Sequence, residues 1–65
     1  MSEFRAIFEG RGQGLHNTSL TLELNGEDIY YFRADDIGYN GLDSIAIMYH
    51  NIAVKLGHTY VEQDR

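Results

Sequence analysis

The residues best suited to hold a small anion lie in a glycine-rich stretch, Glu9–Asn17. Three glycines stand there at alternate positions, together with Arg11 and His16. Backbone N–H groups of such loops can approach a phosphate, and basic side chains can neutralise its charge. One interpretation is a nucleotide or other small molecule bound by the Gly10–Gly14 loop at a dimer interface. The ligand-binding residues would be Arg11, Gly12, Gly14 and His16.

The position of this stretch argues against a phosphate-binding loop of the usual kind. Such loops lead from a strand into the N-terminus of a helix and often carry Lys-Ser or Lys-Thr. Here the stretch lies between two predicted strands, and no Lys-Ser or Lys-Thr follows it. The competing interpretation is a flexible hairpin tip.

Metal binding is not expected from the sequence. The chain has no cysteine, and its histidines are His16, His50 and His58. His50 and His58 are too far apart in sequence to share one helical face at the usual ligand spacing. A structural zinc site needs four ligands, so we expect neither a metal nor a cofactor.

Catalysis is not expected either. A nucleophile needs a base beside it, but Ser44 and His50 point in different directions on a predicted helix. The carboxylate pairs Glu27–Asp28 and Asp35–Asp36 fall in predicted turns, where such residues are usually solvated. A chain of 65 residues also has little material to enclose a pocket. The sequence therefore predicts a non-enzymatic protein.

Three strands should come first along the chain. Ser2–Phe8 and Thr18–Leu24 alternate apolar and polar residues, the pattern of half-buried strands. Asn25-Gly26 is a strong hairpin signal because both residue types tolerate positive φ. Ile29–Ala34 is rich in aromatic and β-branched residues and should form the returning strand.

The hairpin turn also predicts the faces of these strands. With a two- or four-residue turn, the three leucines of the second strand share a face with Ile29 and Tyr31. The opposite face would carry Thr21, Tyr30 and Phe32. Because the leucines should face the core, Tyr30 and Phe32 are predicted to lie on the other side of the sheet.

A helix should follow a loop at Asp35–Gly41. Asn40 is a suitable N-cap, with Asp43 three residues later as in a capping box. Gly57 is suited to the left-handed position after the last turn, and His58–Gln63 could form a last strand. Apolar residues recur at helical spacing: Leu42, Ile45, Ala46, Tyr49, Ile52, Ala53 and Leu56.

These elements predict a single α+β domain over residues 1–65. Its sheet would be small and antiparallel, with three or four strands in the order β-β-β-α and a final β in the four-stranded form. One amphipathic helix would pack on one face of this sheet. A chain this short has a small core and modest stability, and self-association is one way to supplement it.

Charge and composition limit the class of partner. The net charge is −5, which argues against direct nucleic-acid binding and favours a protein with a basic or mixed surface. The N-terminal residues form no long apolar run, so neither a signal peptide nor a membrane span is expected. Together with the absence of cysteine, this predicts a cytoplasmic protein.

Aromatic and acidic residues mark the first predicted binding surface. Tyr30 and Phe32 would be exposed on the sheet, with Tyr39 nearby as a further aromatic anchor. Asp35 and Asp36 could meet arginine or lysine side chains of a partner. We assign these five residues to partner binding.

A second apolar stripe on the helix, distinct from the core stripe, predicts self-association. Ile47 and Val54 are seven residues apart and Met48 flanks them, so they share an outward helical face. The resulting hypothesis is a homodimer that inhibits or regulates a larger protein. In size, acidity and lack of catalytic groups it resembles compact inhibitors from phages and mobile elements.

Overall fold

A computed structural model describes residues 2–65 and confirms the predicted α+β fold. The chain contains four strands, a short 3-10 turn at Leu15–Asn17 and one long helix. The elements are β1 (Glu3–Glu9), β2 (Ser19–Leu24), β3 (Glu27–Arg33), α1 (Ala34–Leu56) and β4 (Thr59–Asp64). The final strand, which the sequence left open, is therefore present.

The four strands form one mixed sheet in the order β3-β2-β1-β4. β1 and β2 are antiparallel, as are β2 and β3, whereas β4 lies parallel to β1. The predicted antiparallel arrangement therefore holds for the first three strands alone. The reason is that β3 and β4 run in the same direction, joined across one face of the sheet by α1, as parallel strands require a crossover connection.

The β2–β3 hairpin begins as the sequence predicts. Asn25 and Gly26 have φ angles of 54° and 84°, which is the backbone of a tight two-residue hairpin turn. Leu24 pairs with Glu27 across this turn. The amide oxygen of Asn25 also accepts a hydrogen bond from the Glu3 N–H at 2.8 Å, which ties the turn to β1.

The predicted faces of β3 are wrong beyond this turn. The register shifts between Leu22 and Glu23, so that Leu22 pairs with Tyr30 and Leu20 pairs with Phe32. Ile29 is the extra residue, because a β-bulge inserts one residue into one strand. Directly opposed residues share a face. Tyr30 and Phe32 therefore lie on the leucine side of the sheet, which α1 covers, rather than on the opposite side.

The core lies between α1 and the two central strands. The apolar side of β1 and the first two leucines of β2 face small and aromatic residues of the helix. The buried members are Phe4, Ala6, Phe8, Leu20, Leu22, Ala34, Leu42, Ala46, Tyr49 and Ala53. From β3, Phe32 packs against this cluster and is only partly buried. The apolar residues of β3 thus lie largely outside the core.

The helix begins earlier than predicted, and the loop predicted at Asp35–Gly41 is wrong. The Ala34 N–H donates a hydrogen bond to the Thr18 carbonyl at 3.0 Å. The helix starts at Ala34, directly after β3. Gly38 then interrupts it with φ 75° and ψ 170°, a conformation that glycine adopts without strain. Asn40 lies inside α1 rather than capping it.

The C-terminal end of α1 agrees with the sequence. Lys55 lies in the last turn, and Gly57 follows with φ 75° in the left-handed region. The Gly57 N–H donates to the Val54 carbonyl at 3.1 Å, and the His58 N–H donates to the Ala53 carbonyl at 2.8 Å. This arrangement satisfies carbonyls that the helix end would leave unpaired.

Tyr60 on β4 joins the helix side of the sheet and provides a pH-dependent contribution to stability. Its ring lies edge-on to Tyr49, with centroids 6.5 Å apart, and edge-on to His50 at 4.8 Å. Burial, followed by the negative charge of Glu62, raises the pKa of Tyr60 to about 12. The folded state therefore favours the neutral phenol more than the unfolded state does, where the pKa is about 10.

We expect the free energy of unfolding to fall as the pH rises from about 10 towards 12, since only the unfolded state ionises readily in that range. Urea unfolding at pH 8, 10 and 11 measures this loss. Tyr60→Phe should reduce the loss, whereas Tyr31→Phe, at a residue that is 60% exposed, should retain it. An equal loss for wild type and Tyr60→Phe would show that Tyr60 does not cause it.

Candidate functional site

The glycine-rich stretch forms a hydrogen-bonded loop between β1 and β2. The Gln13 N–H donates to the Gly10 carbonyl at 3.0 Å. The hydroxyl of the buried Thr18 lies 2.9 Å from the Gly10 carbonyl and 2.8 Å from the Gly14 carbonyl. The loop therefore lies where the sequence predicts it, between two strands, and Thr18 ties its two ends together.

Arg11 is occupied by the protein's own groups. Its guanidinium carbon lies 3.6 Å from the centre of the Phe8 ring. Its nitrogens lie 3.5 Å from an Asp43 oxygen and 3.3 Å from an Asp64 oxygen. Two carboxylates next to Arg11 offset its positive charge, so an anionic ligand would meet repulsion there.

The four residues of the ligand hypothesis do not form one site. Arg11 and Gly12 line a cavity of about 230 Å³ together with Tyr39. Neither Gly14 nor His16 is among the residues that line it. His16 instead places its Nδ1 2.9 Å from an Asp35 oxygen. Nucleotide binding stays a prediction that these contacts do not favour.

Asp35 already forms ion pairs with other residues of the same chain. The Asp35 carboxylate contacts Arg33, at 2.9 Å, as well as His16. The Asp35 side chain is 22% exposed. Taken as whole residues, Asp35 and Asp36 are both exposed and both carry their charge in the first turn of α1, next to the positive end of the helix dipole. They differ in that the Asp35 carboxylate already contacts His16 and Arg33.

The apolar side chains of β3 form an exposed surface at the edge of the sheet. Ile29, Tyr30 and Tyr31 are 43%, 63% and 60% exposed. The Tyr30 and Phe32 rings stack with centroids 5.9 Å apart. We call these four residues the β3 surface. Because successive residues alternate between faces, it wraps around the edge of the sheet.

Sequence reasoning missed two members of the β3 surface. A regular hairpin register predicts that Ile29 and Tyr31 face the core with the leucines, whereas the bulge places Tyr31 on the uncovered side of the sheet. A composition signal was available, since Ile29, Tyr30, Tyr31 and Phe32 are consecutive. Alternate residues of a strand face opposite sides of the sheet, so only half of these four residues on an edge strand can face the helix.

The outer side of α1 carries a second apolar surface. Ile47, Met48 and Val54, the predicted self-association residues, are 60%, 50% and 60% exposed. Ile47 and Met48, but not Val54, line a shallow groove of about 450 Å³ on this helix. We call this the α1 groove, and its lining consists of Ser44, Ile47, Met48, Asn51, Ile52 and Lys55. Self-association itself stays a prediction.

Ser44 and His50, considered in the sequence as a nucleophile and its base, lie in different surroundings. Ser44 lines the α1 groove, whereas the His50 ring packs against Tyr60, so the two side chains serve different contacts. Within residues 2–65, no three histidine or carboxylate side chains gather in a way that could hold a metal ion. In the same part of the chain, no helix is long and apolar enough to span a bilayer.

No protein-family model, curated protein sequence or solved structure shows a significant match to this chain. The features that bear on function are therefore the chain's own surfaces. Two of them are apolar, the β3 surface and the α1 groove, and the third is the loop around Arg11.

The glycine loop yields a test of its structural role. Gly10 and Gly12 both have positive φ, 72° and 84°, but only at Gly10 would an added Cβ run into the backbone carbonyl of Asn17. Gly10→Ala should therefore cost about 2–4 kcal/mol of unfolding free energy, and Gly12→Ala about 1 kcal/mol. Chemical denaturation of both variants measures the difference, and equal losses would contradict the steric role of Gly10.

Proposed function

We propose that this chain is a small acidic interaction protein without enzymatic activity, which binds the surface of a larger protein and inhibits or regulates it. The observation that carries the proposal is the β3 surface. Ile29, Tyr30 and Tyr31 are at least 43% exposed on one strand, and that strand is an edge of the sheet. Large exposed apolar clusters are typical of binding sites.

The edge position supplies a means of recognition besides the side chains. Within residues 2–65, no strand pairs with the outer side of β3. An edge strand presents unpaired N–H and C=O groups, to which an extended segment of a partner can add. Tyrosine side chains on both faces of β3 would then contact that segment, since tyrosine contributes strongly to binding at interfaces.

The charges around β3 favour a basic or mixed partner. Glu27 and Asp28 begin the strand and are exposed, and the chain carries a net charge of −5. Carboxylates at the rim of an apolar surface speed association with a positively charged partner more than they add affinity. Inhibition would follow from occupying that partner's surface, a mode that requires no catalytic group.

The exposed apolar residues on α1 support the second part of the proposal, a homodimer. Ile47 and Val54 are each 60% exposed and lie on α1, a different element from the β3 surface. Self-association would cover them and add stability to a small core. The absence of cysteine is consistent with the reducing cytoplasm, where we propose that the protein acts.

Affinity capture from a host lysate, with quantitative mass spectrometry, tests the partner-binding proposal. Tyr30→Ala/Tyr31→Ala should lose the captured protein, with affinity falling about 30-fold or more, because truncated hot-spot aromatics cost about 2 kcal/mol or more. Leu15→Ala is a matched control, an exposed apolar residue outside β3 that should leave capture unchanged. Circular dichroism should show all variants folded.

Equal recovery of the same proteins by wild type and Tyr30→Ala/Tyr31→Ala would refute the β3 surface as the binding site. Equal losses from Leu15→Ala and the double variant would point to a general effect of removing exposed apolar groups.

A further inference from the structure

A shallow hollow lies beside the bulge of β3. Its volume is about 330 Å³, and its lining consists of Thr21, Asp28, Ile29, Tyr30 and Tyr31. The lining combines one carboxylate with two tyrosine rings, and all three belong to exposed residues. A surface hollow of this size has room for one long side chain rather than for a whole ligand.

The bulge at Ile29 brings Asp28 and Tyr31 to the same face of the sheet. Asp28 pairs with Glu23, and Tyr31 pairs with Thr21. Glu23 and Thr21 are alternate residues of β2, so their partners share the face that α1 leaves uncovered. In a regular strand, residues three apart would point to opposite faces. The extra residue therefore places a carboxylate and an aromatic ring in one hollow, as bulges next to functional sites often redirect a side chain.

The negative charge of Asp28 is not neutralised within residues 2–65. No Lys, Arg or His side chain of this part of the chain lies within ion-pair distance of its carboxylate. The residue directly opposite is Glu23, and like charges at opposed positions repel. Arg5 pairs with Glu23 from β1, about 10 Å from Asp28, and its guanidinium contacts Glu3 at 2.8 Å. A cation in the hollow would relieve this repulsion.

We propose that the hollow binds an arginine side chain of the protein that occupies the β3 surface. The inference rests on the proposed function and names the residue by which the partner is recognised. The guanidinium would lie against the Tyr31 ring and donate hydrogen bonds to the Asp28 carboxylate. Arginine fits better than lysine, because its planar cation is weakly hydrated, stacks on aromatic rings and donates through a fork of N–H groups.

The position of the hollow suits a segment added to the edge of the sheet. Four of its five lining residues belong to β3, which is an edge strand. An added strand would lie about 4.8 Å away, so an arginine on it could reach the hollow. At the other end of β3, Arg33 is already paired with Asp35 at 2.9 Å. The arginine of the segment therefore lies near the start of β3, beside Asp28.

Two short peptides test this inference while the partner is unknown. The first is the acetylated and amidated pentapeptide Thr-Val-Arg-Val-Thr, and the second has citrulline in place of arginine, which keeps the shape and removes the charge. Amide NMR spectra follow each titration up to about 10 mM peptide. The arginine peptide should bind about fivefold more tightly, with the largest shifts at Thr21 and Asp28–Tyr31.

Substitutions in the protein assign this preference to the hollow. Asp28→Asn should abolish the preference for arginine over citrulline, because the pair of peptides and the pair of proteins form a double-mutant cycle. Tyr31→Leu should reduce the preference about twofold, whereas Tyr31→Phe should retain it, since stacking requires the ring and not the hydroxyl. Asp36→Asn is the matched control, an exposed carboxylate on α1 that should leave the preference unchanged.

Three results would overturn the arginine site. They are equal affinity of the wild type for both peptides, no saturable shift with either peptide up to about 10 mM, and equal loss of the preference in Asp28→Asn and Asp36→Asn, which would indicate net charge alone. If Tyr30→Ala/Tyr31→Ala still loses the captured protein, such a result refutes the arginine site and leaves the proposed function standing. Unchanged capture by that double variant refutes the β3 surface itself.

Discussion

One helix covering a four-stranded sheet is the constraint on which the rest of this structure depends. Strands lie about 4.8 Å apart, so a helix about 10 Å wide can cover two of them fully. α1 buries residues of the central strands β1 and β2, while β3 contributes only the half-buried Phe32 to the core. The apolar residues of β3 and of the outer side of α1 stay exposed because no further element is available to cover them.

The bulge at Ile29 marks the point beyond which the sequence no longer predicts the faces of β3. Alternation and the Asn25-Gly26 turn predict the strands and the first pairs correctly. One extra residue then reverses the faces of Tyr30 and Phe32, and no local signal separates a bulged strand from a regular one. The parallel pairing of β4 depends likewise on where α1 returns the chain. The early start of α1 coincides with a tertiary hydrogen bond from the Ala34 N–H to the Thr18 carbonyl, a contact between residues distant in sequence.

The candidate sites likewise differ in how much of them the sequence alone could predict. Exposure of Ile47, Met48 and Val54 follows from helical periodicity, a local property that the sequence contains in full. The surroundings of Arg11 do not, since Asp43 and Asp64 approach it from α1 and β4, distant in sequence. A glycine-rich stretch with one arginine therefore suggests anion binding in the sequence, whereas the folded chain supplies its own carboxylates to that arginine.

The two apolar surfaces lie on different elements, and this separation determines how they can work together. A dimer formed through the exposed apolar residues of α1 would use none of the residues of the β3 surface. The proposed dimer would therefore present two β3 surfaces to its target. Binding at two linked sites can exceed the affinity of one site by about 10²–10⁴ when the geometry permits both. A weak dimer can thus strengthen binding to a target that is itself a dimer, because the target would hold the two copies together.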